Sequence, residues 1–270
     1  MKVISFLLPF VFFHFFVNAQ TVHHPQFSVG AFGNFSNDVF SITSNPASLA
    51  NFKQPSVGIY FEKKYLLNEL SFIQTATAIP TRSGNFGIKT SYFGFNNYNE
   101  TALGLVYARK LGTNFDIGVQ FDYDKITVAS YGKSSFVNYS VGLLFQLNEN
   151  FHFAFNTYNP IEINNEKNTE IKFASNYKFG VGYKPFDKFF LAVELEKEKQ
   201  QLPFVKLGIQ YRFLPQILAR GGIETNTALI YFGVGYFFKS FRIDVVTSHH
   251  PQLGITPGLY FFYNFKRKQK

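Results

Sequence analysis

One strand-like stretch constrains the fold of this chain more than any other. Residues 114–124 read NFDIGVQFDYD, with apolar side chains at the odd positions and polar side chains or glycine at the even ones. Alternate residues of a β-strand point to opposite faces, so one face of this strand is apolar and the other polar. An apolar outer wall around a polar interior is typical of a β-barrel that spans a membrane.

The alternation recurs along the chain, for example in residues 177–184, 205–213 and 241–245. Runs of about eight to twelve residues, bounded by turn-forming residues, predict about fourteen strands, an even number as in bacterial outer-membrane barrels. The predicted strands are residues 55–62, 68–79, 84–95, 100–111, 114–126, 133–147, 150–158, 173–184, 187–197, 204–213, 216–224, 229–238, 241–248 and 257–265. The predicted fold class is therefore an all-β, transmembrane antiparallel barrel.

The connections between these strands alternate between tight turns and looser loops. Tight turns are predicted at residues 111–114, 147–150, 184–187, 214–215 and 239–240, and loops at 127–132, 159–172, 197–203 and 249–256. Outer-membrane barrels have short turns on the periplasmic side and longer loops outside. This order predicts that both chain ends lie in the periplasm, whereas a soluble β-sandwich has no reason to sort its turns in this way.

The composition supports a membrane environment. Aromatic residues make up 20% of the chain and charged residues only 16%, against about 25% charged residues in a soluble domain. The formal net charge of +9 is scattered up to the last five residues, so no clustered nucleic-acid surface is expected, and the expected environment is outer-membrane lipid. The absence of cysteine excludes disulfides and thiolate metal sites.

The N-terminal region predicts export. Residues 1–19 have a basic start at Lys2, an apolar stretch and a small residue, Ala19, at their end, which is typical of a cleaved signal peptide. No later stretch has the 18 to 20 consecutive apolar residues of a spanning helix. We predict a plug segment at residues 20–52, a barrel at 53–265, a basic periplasmic tail at 266–270, and localisation in the outer membrane.

The plug segment carries a short motif. Residues 27–52 are rich in glycine, serine and asparagine, and the motif residues are Asp38, Asn45, Pro46, Ala47 and Leu49. An aspartate followed by Asn-Pro-Ala-x-Leu resembles the N-terminal region of the FadL-like barrels. That superfamily includes the long-chain fatty acid transporters and the Bacteroidota PorV/PorQ-type proteins of type IX secretion.

This resemblance implies a fourteen-stranded barrel with the N-terminal segment folded into or against its lumen. The longest predicted loop, residues 159–172, is polar, unlike the hydrophobic external groove of the fatty acid transporters. The compact chain therefore resembles the secretion-associated branch more than the fatty acid transporters.

A set of polar residues is predicted to face the lumen. They are Lys89, Asp116, Gln120, Asp122, Lys178, Glu194, Lys206, Gln210, Arg212, Arg220, Arg242 and Asp244. In one interpretation they line a polar conduit. In the other, which the mixture of acids and bases favours, they form a salt-bridge network that fills the barrel and fixes the plug.

No constellation indicates an enzyme, a metal site or a cofactor. The His-His-Pro triplets at residues 23–25 and 249–251 are predicted to lie on opposite sides of the membrane, as solvated loop residues. Asp122 and Asp124 share a strand face through alternation alone, and His152 has no nucleophile at a readable position. No hydrolase, zinc-protease or phosphate-binding motif is present.

Two functions remain open at this point. In the first, the barrel passes small, hydrophobic solutes and the plug gates their path. In the second, it is a non-transporting accessory barrel whose partners are proteins of a secretion or surface-assembly complex.

Overall fold

The computed structural model describes residues 38–160, 175–199 and 201–265. Fourteen antiparallel strands close into one barrel, which confirms the predicted fold class. The strands are β1 (Ser56–Lys63), β2 (Ser71–Pro80), β3 (Asn85–Phe95), β4 (Tyr98–Lys110), β5 (Phe115–Val128), β6 (Gly132–Gln146), β7 (Phe151–Tyr158), β8 (Asn176–Phe186), β9 (Phe189–Glu198), β10 (Phe204–Leu214), β11 (Ile217–Glu224), β12 (Leu229–Phe238), β13 (Phe241–His250) and β14 (Gly254–Asn264). The predicted signal peptide, the first part of the plug segment and the basic tail lie outside the described residues.

Each strand pairs with its neighbours in sequence, and the barrel closes between β1 and β14. The closing register runs from Ser56 opposite Asn264 to Glu62 opposite Gly258. The barrel therefore has a terminal end, where β1 begins and β14 ends, and a far end. Closure leaves no strand edge unpaired, which is the condition for a sheet to exist in lipid.

The predicted alternation separates the two faces of the wall. On β5, Gln120 and Asp122 are each 3% exposed, whereas Phe121 is 58% and Tyr123 49% exposed. The same division holds on β13, where Arg242 and Asp244 are buried between exposed Phe241, Ile243 and Val245. The outer wall is therefore apolar and the polar side chains face the lumen, as in a transmembrane barrel.

The turns follow the predicted sorting at one end only. At the terminal end all connections are short, at residues 81–84, 111–114, 147–150, 187–188, 215–216 and 239–240. At the far end the shortest connection is residues 96–97, and the longest are residues 64–70 and 159–175. Several far-end connections are as short as the terminal turns. Only the few long connections therefore distinguish the two ends of the barrel.

Several predicted boundaries are wrong because the strands continue further than their alternation. Residues 127–132 and 249–256 were expected as loops, but β5 reaches Val128, β13 reaches His250 and β14 begins at Gly254. Residues 68–70, expected in a strand, form a 3₁₀ turn before β2. The apolar–polar alternation is weak around Thr127 and His249. These residues nevertheless pair with Asn99 of β4 and Ile230 of β12, and this backbone pairing extends β5 and β13.

The helical segments before β1 are short. They are α1 (Ser41–Ser44), a single turn, and the 3₁₀ helix Pro46–Asn51. Within the described part of the chain, no helix is long and apolar enough to cross a membrane.

Candidate functional site: the plug in the lumen

The described part of the plug, residues 38–52, lies inside the barrel. Ile42, Ala47 and Leu49 are completely buried, although no strand contains them. The apolar core of the protein is thus the contact between the plug and the lumen side of the wall. A short segment with this much buried surface is stabilised mainly by packing, because its single helical turns are too short to be stable alone.

Asn45 links the plug motif to the wall. Its side-chain Oδ1 accepts a hydrogen bond of 2.9 Å from the Ala47 amide and thereby caps the 3₁₀ helix that Pro46 begins. Its Nδ2 donates to the carbonyl oxygens of Leu143 and Phe155, each at 3.2 Å. Those two residues face each other across β6 and β7, so one asparagine both shapes the plug and holds two strands.

Two wall asparagines bind the plug in the reverse direction. Asn85 Nδ2 donates to the carbonyl oxygens of Leu49 at 2.7 Å and Phe52 at 2.9 Å. Asn156 Nδ2 donates to the carbonyl oxygen of Ser44 at 2.9 Å. Asn156 thus binds the carbonyl group at the end of α1, and Asn85 binds the Leu49 carbonyl, which also accepts the Phe52 amide, and the Phe52 carbonyl itself.

Two lumen-facing glycines make room for the motif. A Cβ atom at Gly142 would lie 2.8 Å from Pro46 Cδ and closer still to Asn45 Oδ1, and one at Gly118 would overlap the backbone of Pro46. Any larger residue would have to displace the plug. The wall is therefore shaped for this segment at two adjacent strands.

A third glycine makes room for the start of the plug. A Cβ atom at Gly58 would lie 2.7 Å from Val39 Cγ1. Beside it, the Phe40 ring meets those of Tyr260 and Phe262 edge to face, with centroid distances of 5.3 and 5.7 Å. Such aromatic pairs stabilise a contact by about 0.5–1.5 kcal/mol beyond the burial of area.

An ion network joins the plug to β11 and β13. Arg220 lies 3.3 Å from the Asp38 carboxylate and 2.9 Å from that of Asp244. Arg242 Nε donates to Asp244 Oδ1 at 2.7 Å. The Arg220 guanidinium also lies 4.9 Å from the centre of the Tyr260 ring, so Arg220 is shared between plug and wall.

A smaller polar contact holds the other end of the plug. Asn51 Nδ2 donates to Asp116 at 2.9 Å, and Lys110 Nζ donates to Asn51 Oδ1 at 2.5 Å. Lys110 also pairs with Asp116 at 3.2 Å. The carboxylate therefore has a partner on the wall as well as on the plug.

A separate network crosses β8 to β11. The Glu196 carboxylate lies 3.4 Å from Lys178 Nζ and 2.8 Å from Lys206 Nζ. Lys206 Nζ also lies 3.3 Å from the Glu224 carboxylate. Glu194 is buried beside them, 3% exposed. Buried charges are stable only with such partners, so this region is a closed polar lining.

The twelve lumen residues of the sequence prediction all lie on the inner side of the wall, but in different groups. Two of them contact the plug: Arg220 pairs with the motif residue Asp38, and Asp116 accepts a hydrogen bond from Asn51. Lys89 instead pairs with Asp122 of the wall at 3.1 Å. Gln210 and Arg212 are half-buried near the terminal end, where the Arg212 guanidinium lies 5.1 Å from the Phe237 ring.

The sequence reasoning missed Asn51, Asn85, Asn156 and the three glycines that receive the plug. Asparagine is depleted in strands. Its presence at the lumen-facing positions Asn85 and Asn156 therefore indicates a hydrogen-bonding role beyond strand formation. Glycine in a strand can indicate a close backbone approach, and Gly118 and Gly142 show one.

The histidines of the described ranges do not form a site. His152 is buried on the lumen side of β7, and His249 is an exposed residue of β13 instead of a loop residue. The triplet at residues 23–25 lies outside the described residues. In the described ranges, no group of histidine, aspartate and glutamate side chains could hold a metal ion.

A closed fourteen-stranded wall, an apolar exterior and a buried N-terminal segment define a plugged transmembrane β-barrel. The same fold occurs in FadL-type channels. The CymD monoaromatic hydrocarbon channel has 12% identity and a TM-score of 0.68, over 89% of this chain and 96% of that one. The toluene transporter TbuX of Ralstonia pickettii has 11% identity and a TM-score of 0.66, over 88% and 97% of the two chains. A FadL homologue of Pseudomonas aeruginosa has 10% identity and a TM-score of 0.62, over 85% and 95%.

These likenesses establish that the chain has the FadL-type barrel fold. No protein-family model matches the sequence, and no curated protein sequence matches it significantly.

Proposed function

We propose that this protein is an outer-membrane barrel that passes small hydrophobic solutes, and that the plug gates their path. The observation that carries the proposal is the seat of the plug. The segment packs inside the lumen, and the wall provides glycines and asparagines that receive it. Residues 1–19 would act as the export signal, and the terminal end of the barrel would lie in the periplasm.

The charge arrangement supports a plug that can leave its seat. If Asp38 moves away, Arg220 keeps Asp244 as its partner. If Asn51 moves away, Asp116 keeps Lys110. Because an unpaired buried charge is very costly, wall partners that remain in place lower the free energy of opening.

The surroundings of the plug support a hydrophobic solute. Phe40 packs against Tyr60, Tyr260 and Phe262, so withdrawal of the plug would expose an aromatic surface on the wall. Proteins of the same fold are described as channels for monoaromatic hydrocarbons and as toluene transporters. A small aromatic or aliphatic molecule fits such a surface.

A reversible lock tests the gate. The chain has no cysteine, and the 2.7 Å between a Cβ at Gly58 and Val39 Cγ1 suits a disulfide in the double variant Val39→Cys/Gly58→Cys. We expect low planar-bilayer conductance and low liposome uptake of an aromatic solute when it is oxidised, and a rise on reduction.

The single variants Val39→Cys and Gly58→Cys are the matched controls and should not respond to reductant. Deletion of residues 27–50 should raise conductance without any reductant. Equal flux through the oxidised and reduced double variant, together with no change on deletion, would refute the gate.

A second candidate is an accessory barrel of a PorV/PorQ-like secretion or surface-assembly complex. The observation that favours it is the pairing of charges in the lumen, where Lys178 and Lys206 form salt bridges with Glu196 and Glu224. Purification of the full chain in mild detergent should then recover stoichiometric partner proteins. A solitary barrel that conducts after reduction of the lock would exclude this alternative.

A further inference from the structure

A small cavity lies in the far half of the lumen, away from the seat of the plug. It has a volume of about 40 Å³ and is bounded by β2, β3, β4 and β5, with Lys125 of β5 in the lining, and by Tyr158 at the end of β7. Three successive rows of paired residues build it: Ala76, Lys89, Gly104 and Asp122; Gln74, Ser91, Ala102 and Asp124; and Phe72, Phe93, Glu100 and Ile126. Since a buried water needs about 10–15 Å³ by this measure, the cavity has room for about three heavy atoms.

The first row forms the floor. Lys89 and Asp122 pair at 3.1 Å across the intervening strand β4. The bridge passes over Gly104, where a Cβ atom would lie 2.5 Å from Lys89 Cε. Glycine at this position therefore allows a flat, charge-balanced floor.

The middle row supplies unused acceptors. Ser91 and Ala102 are small and leave a gap between the longer side chains of Gln74 and Asp124. Gln74 is 3% exposed, and no donor among the described residues reaches its Oε1. Asp124 accepts the Asn138 amide at 2.7 Å, and no cationic side chain in the described ranges forms a salt bridge with it.

The third row forms an aromatic roof. Phe72 and Phe93 are both buried, and Glu100 accepts the Tyr98 hydroxyl at 2.5 Å. Lys64 lies 5.5 Å from the centre of the Phe93 ring. Burial lowers the pKa of Lys64, while the carboxylates of Glu62, 3.7 Å from its Nζ, and of Glu100 oppose that shift.

The ion pairs around the cavity do not include Asp124. Lys89 pairs with Asp122 and Lys64 with Glu62, whereas Asp124 accepts the Asn138 amide and forms no salt bridge among the described residues. A buried acceptor without a donor is destabilising, and Gln74 adds such an acceptor on the same row. The cavity therefore favours a ligand that carries positive charge and donates hydrogen bonds.

We propose that this cavity binds a primary ammonium ion of about three heavy atoms with a short apolar body, such as ethylammonium. An ammonium group has three donors and no acceptor, which matches the carboxylate of Asp124 and the Oε1 of Gln74. The faces of Phe72 and Phe93 attract a cation and pack against an apolar body. As a statement about the transported solute, the inference rests on the proposed function; as a binding site, it stands without transport.

Calorimetric titration of the full chain in detergent micelles tests the site with ethylammonium and its neutral analogue ethanol. We expect the amine to bind at least about tenfold more tightly, because a hydrogen bond to a charged group is worth about that factor. Equal affinity for the two probes would overturn the proposal.

Three substitutions sharpen the test. Asp124→Asn keeps an acceptor for Asn138 and should weaken amine binding about tenfold or more, without affecting the alcohol. Gln74→Met should weaken it less. Lys89→Gln should tighten it, because it frees Asp122, and a purely structural role for these residues predicts no such gain.

Glu224→Gln is the matched control, because β11 lies opposite β4 in the barrel and Glu224 is also a lumen carboxylate. Its amine affinity should be unchanged, and circular dichroism should show that every variant is folded. Unchanged affinity in folded Asp124→Asn overturns the site. Binding and conductance are separate readouts: a working lock without amine binding overturns only this inference, and amine binding with no flux overturns only the gate.

Discussion

Arg220 of β11 and Asp38 of the plug are 182 positions apart in sequence, yet their side chains meet at 3.3 Å inside the lumen. The same guanidinium lies 2.9 Å from Asp244 of the wall. One arginine therefore has a movable partner and a fixed one, and the two partners should respond differently to substitution.

Asp38→Asn removes the movable partner. Arg220 keeps Asp244, so we expect a small loss of stability, about 1 kcal/mol, together with increased conductance. Asp244→Asn should instead cost about 3–5 kcal/mol, because Arg220 and Arg242 both lose their main partner. Denaturant unfolding in micelles compares the two, and an equal loss would contradict a shared arginine.

Asn45 offers a pair of substitutions that separate two roles. Asn45→Ala loses the cap on Ala47 and both bonds to Leu143 and Phe155, with an expected cost of about 2–4 kcal/mol if each bond is worth about 1 kcal/mol.

Asn45→Asp keeps the acceptor for the cap but places a carboxylate against the two carbonyl oxygens. We therefore expect Asn45→Asp to release the plug at least as readily as Asn45→Ala. Hydrogen exchange of the plug amides measures the release, and protection at the level of the unsubstituted protein in either variant would contradict the role of Asn45.

Gly142→Ala tests the seat itself. The added methyl would overlap Asn45 and Pro46, so the plug must shift while the outer wall stays intact. A reporter cysteine at Thr43, which is 7% exposed, should react faster with a water-soluble maleimide in this variant.

The matched control is Gly221→Ala, whose methyl would have only wall atoms beside it, the Tyr231 carbonyl oxygen at 3.2 Å and Phe232 Cδ2 at 3.9 Å. It should leave labelling of the Thr43→Cys reporter unchanged. Similar labelling of Gly142→Ala and Gly221→Ala would mean that a glycine at residue 142 is not needed for the plug.

The wall of this protein is readable from sequence because alternation is a local property. Each strand shows its two faces within a few residues, as Phe121 and Asp122 do on β5. The fold class and strand number follow from that pattern, while the boundaries at Val128 and His250 depend on the neighbouring strand.

The contents of the lumen are not readable in the same way. Alternation predicts that Arg220 faces inward, but not that it meets Asp38, because that contact depends on closure of the barrel around the plug. The seat depends on glycines such as Gly142, whose meaning appears only when the partner is in place. The motif around Asn45 indicated which segment enters, and the structure shows what holds it.

The network on β8 to β11 allows a last prediction about charge. Lys206 pairs with Glu196 and Glu224, so Lys206→Met leaves Glu196 with Lys178 and Glu224 with the Thr227 hydroxyl at 3.2 Å. We expect a loss of about 3–5 kcal/mol and, in any open state, a shift toward cation selectivity. The double variant Lys206→Met/Glu224→Gln should recover part of both, because it removes one uncompensated carboxylate. Denaturant unfolding and reversal potentials measure the two effects, and a double variant no better than the single one would show that Lys206 does not act through Glu224.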